Sequence, residues 1–164
     1  MIRWLGADDL AQWREVRSEG IRLNPTAFLT TLDEFLAESD ASVLAKLSKG
    51  HLLGAFESDR LMGVAGYGRK TGKLQTRHRA EISAVYFRPA ARGTGLAVRL
   101  MEYLESYARA QGVTQLELYV EVRNANAQRF YEKLGYERFG TLPNAVVIDG
   151  EAYDDLFMVR ALDR

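Results

Sequence analysis

The sequence predicts an α+β fold: a single domain built on one mixed, mostly antiparallel sheet of about seven strands, flanked on both faces by about four helices. Three observations carry that expectation. Strand–helix–strand–helix patterning over residues 80–135 implies one parallel strand pair joined by a right-handed crossover. Two-residue turn signals at Ser58-Asp59 and Asp149-Gly150 place hairpins before and after that unit. No repeat, low-complexity stretch or Pro/Gly/Ser-rich linker marks an internal boundary, so residues 1–164 read as one domain. A domain of this size hides roughly 68–70% of its extended-chain surface, enough to need no covalent staple.

Each element has its own signal. Residues 2–5 form a short strand. Asp8 can cap a helix reaching about residue 19, where Leu10, Trp13, Val16 and Arg17 fall near helical spacing. Asn24-Pro25 breaks the pattern. A second helix is expected over 32–47, with Leu32, Phe35, Leu36, Val43, Leu44 and Leu47 on one face and Gly50 as its stop. Strands follow over 51–57 and 60–68, then a polar, basic stretch over 69–79. Residues 80–87 are rich in β-formers, and Pro89, which has no amide hydrogen, stops that strand. The third helix runs over 95–111 on a stripe of Ala97, Leu100, Met101, Leu104 and Ala108. Alternation of Leu116, Leu118, Val120 and Val122 with Glu117, Tyr119 and Glu121 marks the next strand. Asn124 caps a short fourth helix that Gly135 ends. Strands over 136–140 and 144–148 then turn through Asp149-Gly150 and return over 153–161. All three prolines, at 25, 89 and 143, read as loop residues.

Bulk composition narrows the function. The 22 basic and 22 acidic residues balance, whereas a protein that holds nucleic acid usually carries a basic excess, so no nucleic-acid partner is expected. There is no cysteine, which removes disulfides, thiolate metal sites and a cysteine nucleophile. His51 and His78 are too few and too far apart to suggest a zinc site, and no metal is expected. Asp8 and Asp9 stand where a signal peptide would need an apolar core, and no apolar run approaches the ~18 residues of a membrane span. The expectation is a soluble, cytoplasmic protein without a membrane partner.

The most informative segment is Arg92-Gly93-Thr94-Gly95-Leu96-Ala97, between a strand and a helix. The first turn of a helix has amide hydrogens without internal partners and the positive end of the dipole, so it favours a phosphate. Gly93 and Gly95 let the backbone approach closely, Ala97 adds little bulk, and Arg92 supplies a permanent charge. A dinucleotide fingerprint would require Gly or Ala at position 98, where Val98 stands, although Glu117 lies at a suitable distance for a ribose contact.

These residues resemble the GNAT superfamily of N-acetyltransferases. Residues 92–97 match its R/Q-x-x-G-x-G/A signature, with Ala97 in place of the commoner glycine. A second block, Asn124-x-x-Ala127-x-x-x-Tyr131-Glu132-Lys133-Leu134-Gly135-Tyr136, follows at the expected separation, and the hairpins around Ser58-Asp59 and Asp149-Gly150 are similar too. The resemblance implies acetyl-CoA as cosubstrate and direct transfer to a primary amine in a ternary complex. It implies a GNAT-like domain in which two parallel strands, 80–87 and 115–122, splay apart around the pantetheine arm. Main-chain groups near Val85 and Phe87 would pair with that arm, the amides of Gly93, Thr94, Gly95, Leu96 and Ala97 would hold the pyrophosphate, and Asn124 and Ala127 would line the cofactor site. Members of the family often form homodimers.

Acetyl transfer from a thioester needs a neutral amine, an oxyanion donor and a proton for the departing thiolate. Glu81, on the strand leading to the phosphate turn, is the candidate base; alternatively it faces solvent or pairs with Arg79, with ordered water as base. Tyr131 is the candidate acid, because a phenol is protonated at neutral pH. A main-chain amide near Val85 or Tyr86 is the family's oxyanion donor. The acceptor is expected between residues 18–30 and 142–155, with Trp4, Trp13 and Phe28 as candidate walls. Asp149, Glu151, Asp154 and Asp155 would attract a cationic acceptor, whereas Arg69, Lys70, Lys73, Arg77 and Arg79 would attract an anionic one. Two other readings stand beside the enzyme: a non-catalytic acyl-CoA sensor and a nucleotide-binding protein.

Overall fold

The computed structural model describes residues 1–162; the last two residues of the expected 1–164 domain lie outside the described residues. Seven strands form one sheet in the order β1-β2-β3-β4-β5-β7-β6. In chain order the strands are β1 (Ile2–Trp4), β2 (Leu52–Glu57), β3 (Arg60–Arg69), β4 (Arg79–Phe87), β5 (Gln115–Glu121), β6 (Glu137–Ile148) and β7 (Glu151–Ala161). Among the described residues only β4 and β5 run parallel; the other five pairings are antiparallel. The helices are α1 (Leu10–Leu23), α2 (Leu32–Ala37), α3 (Asp40–Leu47), α4 (Leu96–Ala110) and α5 (Ala125–Lys133).

The sheet divides two apolar cores. On one face Leu100, Met101 and Leu104 of α4 and Tyr131 of α5 pack over Leu53, Ala80, Leu116 and Met158. On the other, Trp13 and Val16 of α1, Phe35 of α2 and Val43 and Leu47 of α3 pack over Phe56, Val64 and Tyr86. Both hairpin turns are of the kind the sequence signals. Ser58 and Asp59 have φ of 45° and 64°, Asp149 and Gly150 of 51° and 82°, and two consecutive left-handed residues twist a two-residue turn to suit its strands.

Several expectations need correction. Five α-helices form rather than about four, because the helix expected over 32–47 is two. Glu38 is extended at ψ 127°, and the Ser39 side chain accepts the Ser42 amide to cap α3. Leu36, assigned to the buried stripe, is exposed. At the start of α1 Asp8 is not the cap: a 3-10 turn over Ala7–Asp9 comes first, and the Asp9 carboxylate accepts the Gly6 amide while pairing with Arg3. The helix also continues beyond residue 19 to Leu23. Pro143 lies within β6 rather than in a loop. It is tolerated because β6 is an edge strand and the register breaks there, between Leu142 and Val146, with Asn144 at φ 53°.

Candidate active site

The site begins where the parallel ladder stops. β4 and β5 pair only from Arg79↔Gln115 to Glu81↔Glu117, and beyond that register the strands separate. On its other edge β4 stays paired to β3, but Ala84 takes φ 52° and two β4 residues bulge against one of β3 between Ser83 and Tyr86. A bulge twists its strand and changes its direction, which lets β4 leave β5 without leaving β3. The base of the split is tied by ions. Arg79 grips both carboxylate oxygens of Glu117, which is almost wholly buried, with Nη2–Oε2 at 2.9 Å.

A cavity of about 540 Å³ opens in the gap. β4 contributes Glu81 to Val85, β5 contributes Tyr119 to Glu121, and α5 contributes Ala127 and Tyr131, with its cap Asn124. Its remaining wall comes from Arg17 of α1, the 26–30 segment, β6 and Asp155 of β7. Of the sequence-predicted site residues, this cavity gathers Glu81, Val85, Asn124, Ala127 and Tyr131. Phe87 is not in the lining; its ring packs beside Gly63, where a Cβ would meet it at 2.1 Å.

Glu81 is half-exposed and accepts a hydrogen bond from Lys70 Nζ at 2.9 Å, so its ionic partner is Lys70 rather than Arg79. That bond to Glu81 raises the Lys70 pKa. Tyr131 is buried, with edge-on contacts to Phe130 and Tyr136, and among the described residues its hydroxyl makes no hydrogen bond. Burial pushes its pKa above the ordinary phenol value, so it is protonated throughout the neutral range. Asn124 Oδ1 accepts the Ala127 amide at 3.1 Å, the expected cap, and the residue also borders the cavity.

The residues of the phosphate turn stand at the far end of β4, outside the cavity lining. Gly93 and Gly95 both have φ 78°, a left-handed conformation suited to glycine, and α4 starts at Leu96. The amides of Gly93, Gly95, Ala97 and Val98 have no acceptor among the described residues. Thr94 and Leu96 depart from the expected set. The Thr94 amide reaches Ala91 O at 3.4 Å, and the Leu96 amide reaches Thr94 Oγ1 at 3.3 Å. Val98, read in the sequence only as a bar to dinucleotide binding, thus adds a free amide. Arg92 is exposed at the turn, and Arg99 Nη1 lies 3.5 Å from Thr94 O, so two cations flank these amides. The turn is braced from behind by Arg88, which is buried and bonded to Glu15 at 2.8 Å, Glu19 at 2.9 Å and the Leu61 carbonyl.

The charged runs resolve differently from their appearance in sequence. Glu151 pairs with Arg123 at 2.8 Å, and Asp154 accepts the Asn144 amide at 2.8 Å; of the four carboxylates only Asp155 reaches the cavity. In the basic stretch Lys70 and Arg79 are committed to Glu81 and Glu117, and Arg69 Nε donates to the Arg77 carbonyl. Phe28 lines the cavity, but Trp13 packs against Phe35 and Trp4 against Tyr107, within the two cores. Glu117 cannot serve as a ribose ligand: burial would raise its pKa, but Arg79 and Gln115 outweigh that and hold it low, inside an ion pair. Arg17 was visible in the sequence as a cation on the α1 stripe, and it proves to face the cavity.

Comparison with known proteins agrees with this geometry. Residues 11–136 match the acetyltransferase (GNAT) family. An L-methionine sulfoximine/L-methionine sulfone acetyltransferase of Pseudomonas paraeruginosa is 30% identical over 164 residues, covering 99% of this chain and 94% of that protein. Among solved structures, yncA of Salmonella typhimurium, determined with its cofactor acetyl-CoA, superposes with a TM-score of 0.83 at 25% identity and covers 100% of this chain and 94% of that one. A ribosomal-protein-alanine N-acetyltransferase of Brucella melitensis superposes with a TM-score of 0.79 at 26% identity, covering 99% of each chain. The chain therefore belongs to the GNAT family of acetyltransferases.

Proposed function

We propose that this chain moves the acetyl group of acetyl-CoA directly to a primary amine while both substrates are bound. The observation that carries this reading is the split between β4 and β5, which opens one cavity holding Glu81 and Tyr131 and leads along β4 to the free amides of Gly93, Gly95, Ala97 and Val98. Those amides, flanked by Arg92 and Arg99, suit a diphosphate. The gap suits an extended arm, with Val85, Asn124 and Ala127 beside it.

In the reaction a C–N bond forms at the thioester carbonyl and the C–S bond breaks. The amine must first lose a proton. For a lysine-like amine with pKa ~10.4, being neutral at pH 7 costs about 4.6 kcal/mol; for an α-amine near 7.8 it costs about 1.2 kcal/mol. Glu81 takes that proton, through its Oε1 side, since Lys70 occupies Oε2. Tyr131, kept protonated by burial, gives its proton to the departing thiolate. A main-chain amide near Val85 or Tyr86, beside the β4 bulge, serves in this reading as the donor to the carbonyl oxygen as negative charge develops there. The names of the Pseudomonas relatives point to a small acceptor.

The test is thiol release from acetyl-CoA across a panel of amino acids, polyamines, aminoglycosides and peptides. Release that depends on an added amine is the expected result. Acetyl-CoA binding without release from any member of the panel would contradict catalysis and favour a sensor.

A further inference from the structure

We propose that the cavity takes a zwitterionic acceptor, an α-amino acid or close analogue, with Arg17 holding its carboxylate and Asp155 and Glu121 facing its ammonium group. This deepens the acetyl-transfer reading and rests on it.

Arg17 is the first ground. It projects from α1 into the cavity wall, and its guanidinium lies 4.4 Å from the Phe28 ring centroid and 5.9 Å from that of Trp13. Aromatic faces attract a guanidinium but leave its N–H groups unused. Among the described residues the group makes no hydrogen bond or ion pair, and Nη1 is sealed from solvent with no partner. Burial, with no offsetting carboxylate, pulls its pKa down to about 10. Arg88, which is buried, by contrast has two carboxylates and a carbonyl. A fork of donors held between two rings, without an acceptor, matches a planar anion that binds bidentately.

The opposite charge stands across the same cavity. Asp155 of β7 and Glu121 of β5 are directly opposed in register, and both border the cavity. Like charges facing across a ladder repel. Glu121 Oε1 accepts the Arg123 amide at 2.9 Å, but the Arg123 guanidinium turns away to Glu151, and neither Asp155 nor Glu121 has a cationic partner among the described residues. Burial, then Glu121 and Asp154, raises the Asp155 pKa. An ammonium group between these carboxylates relieves their repulsion, as a carboxylate relieves the isolation of Arg17. Neither half alone specifies the ligand; a molecule carrying both charges satisfies both ends.

Matched acceptors test this directly: a free L-amino acid, its α-carboxamide and the corresponding decarboxylated amine, each assayed for kcat/KM by thiol release with the wild type, Arg17→Gln and Arg17→Lys. The wild type is expected to prefer the free acid over the carboxamide by about 100-fold, because a site built around an unpaired charge rejects the analogue that leaves it unpaired. In Arg17→Gln that preference collapses, chiefly through KM for the acid, and Arg17→Lys restores part of it. Turnover of carboxamide and amine as readily as the acid by the wild type would overturn the anchor while leaving acetyl transfer intact, and this comparison holds even if the variants fold poorly. Equal loss on all three acceptors in Arg17→Gln, with acetyl-CoA affinity unchanged, would overturn it too. No release by the wild type with any acceptor would sink the transfer reading itself.

Discussion

Tyr131 gains its proposed role from what surrounds it: aromatic rings on its sides, no hydrogen bond to its hydroxyl among the described residues, and a pKa raised by burial. Tyr131→Phe removes only the proton donor. Turnover is expected to fall about 100-fold, within the usual range for general acid catalysis, with acetyl-CoA affinity nearly unchanged; stopped-flow or steady-state thiol release together with calorimetry separates the two, and undiminished turnover removes Tyr131 from the chemistry. Glu81, Tyr131 and the 92–97 turn were singled out in the sequence through the resemblance to the GNAT family, and the fold brings Glu81 and Tyr131 to one cavity. The partners were not. Lys70 meets Glu81 from 11 positions away, while Glu151 and Asp154 are consumed by Arg123 and Asn144. A run of like charges shows its composition in the sequence, but which members are neutralised depends on tertiary pairing. Arg17 gave a partial signal, a cation among Leu10, Trp13 and Val16, but only the fold shows that no carboxylate among the described residues reaches it.

The decisive element is the β4–β5 pair, joined over three residues and then parted. Its closed end depends on the Arg79–Glu117 ion pair. Glu117 titrates at a lowered pKa in the folded protein, since Arg79 and Gln115 outweigh the effect of burial. Its contribution to stability is therefore complete above the unfolded carboxyl pKa of about 4.3 and is lost as pH falls through the lowered folded value. Glu117→Gln is expected to cost about 2 kcal/mol at pH 7, less than breaking a fully buried pair, because Arg79 is partly solvated. In denaturant melts the gap between the two proteins should close below pH 4. A gap independent of pH would mean that packing, not charge, sets the cost. The strand periods were legible here; the split was implied only by the resemblance. The bulge at Ala84, with φ 52° on a residue that carries a Cβ, gave no compositional sign. The α2–α3 break had one in Ser39-Asp40, but an apolar stripe continuing across it read as a single helix.

Across the whole molecule, two cores on opposite sheet faces hold a partly unzipped sheet, which leaves the centre open without loosening the rest. One face supplies Tyr131 and the other Arg17 and Phe28, and all three border the cavity between β4 and β5. The architecture of one mixed sheet was readable from turn chemistry and periodicity, since both are local. The strand order, with β7 inserted between β5 and β6, has no such local sign. Everything proposed about the chemistry presumes that the diphosphate of acetyl-CoA anchors at the head of α4. A crystal structure of the acetyl-CoA complex measures this most directly. Diphosphate oxygens should lie about 2.7–3.2 Å from the amide nitrogens of Gly93, Gly95, Ala97 and Val98, with the thioester in the gap beside Tyr131. A diphosphate bound elsewhere, with those four amides facing water, would contradict it.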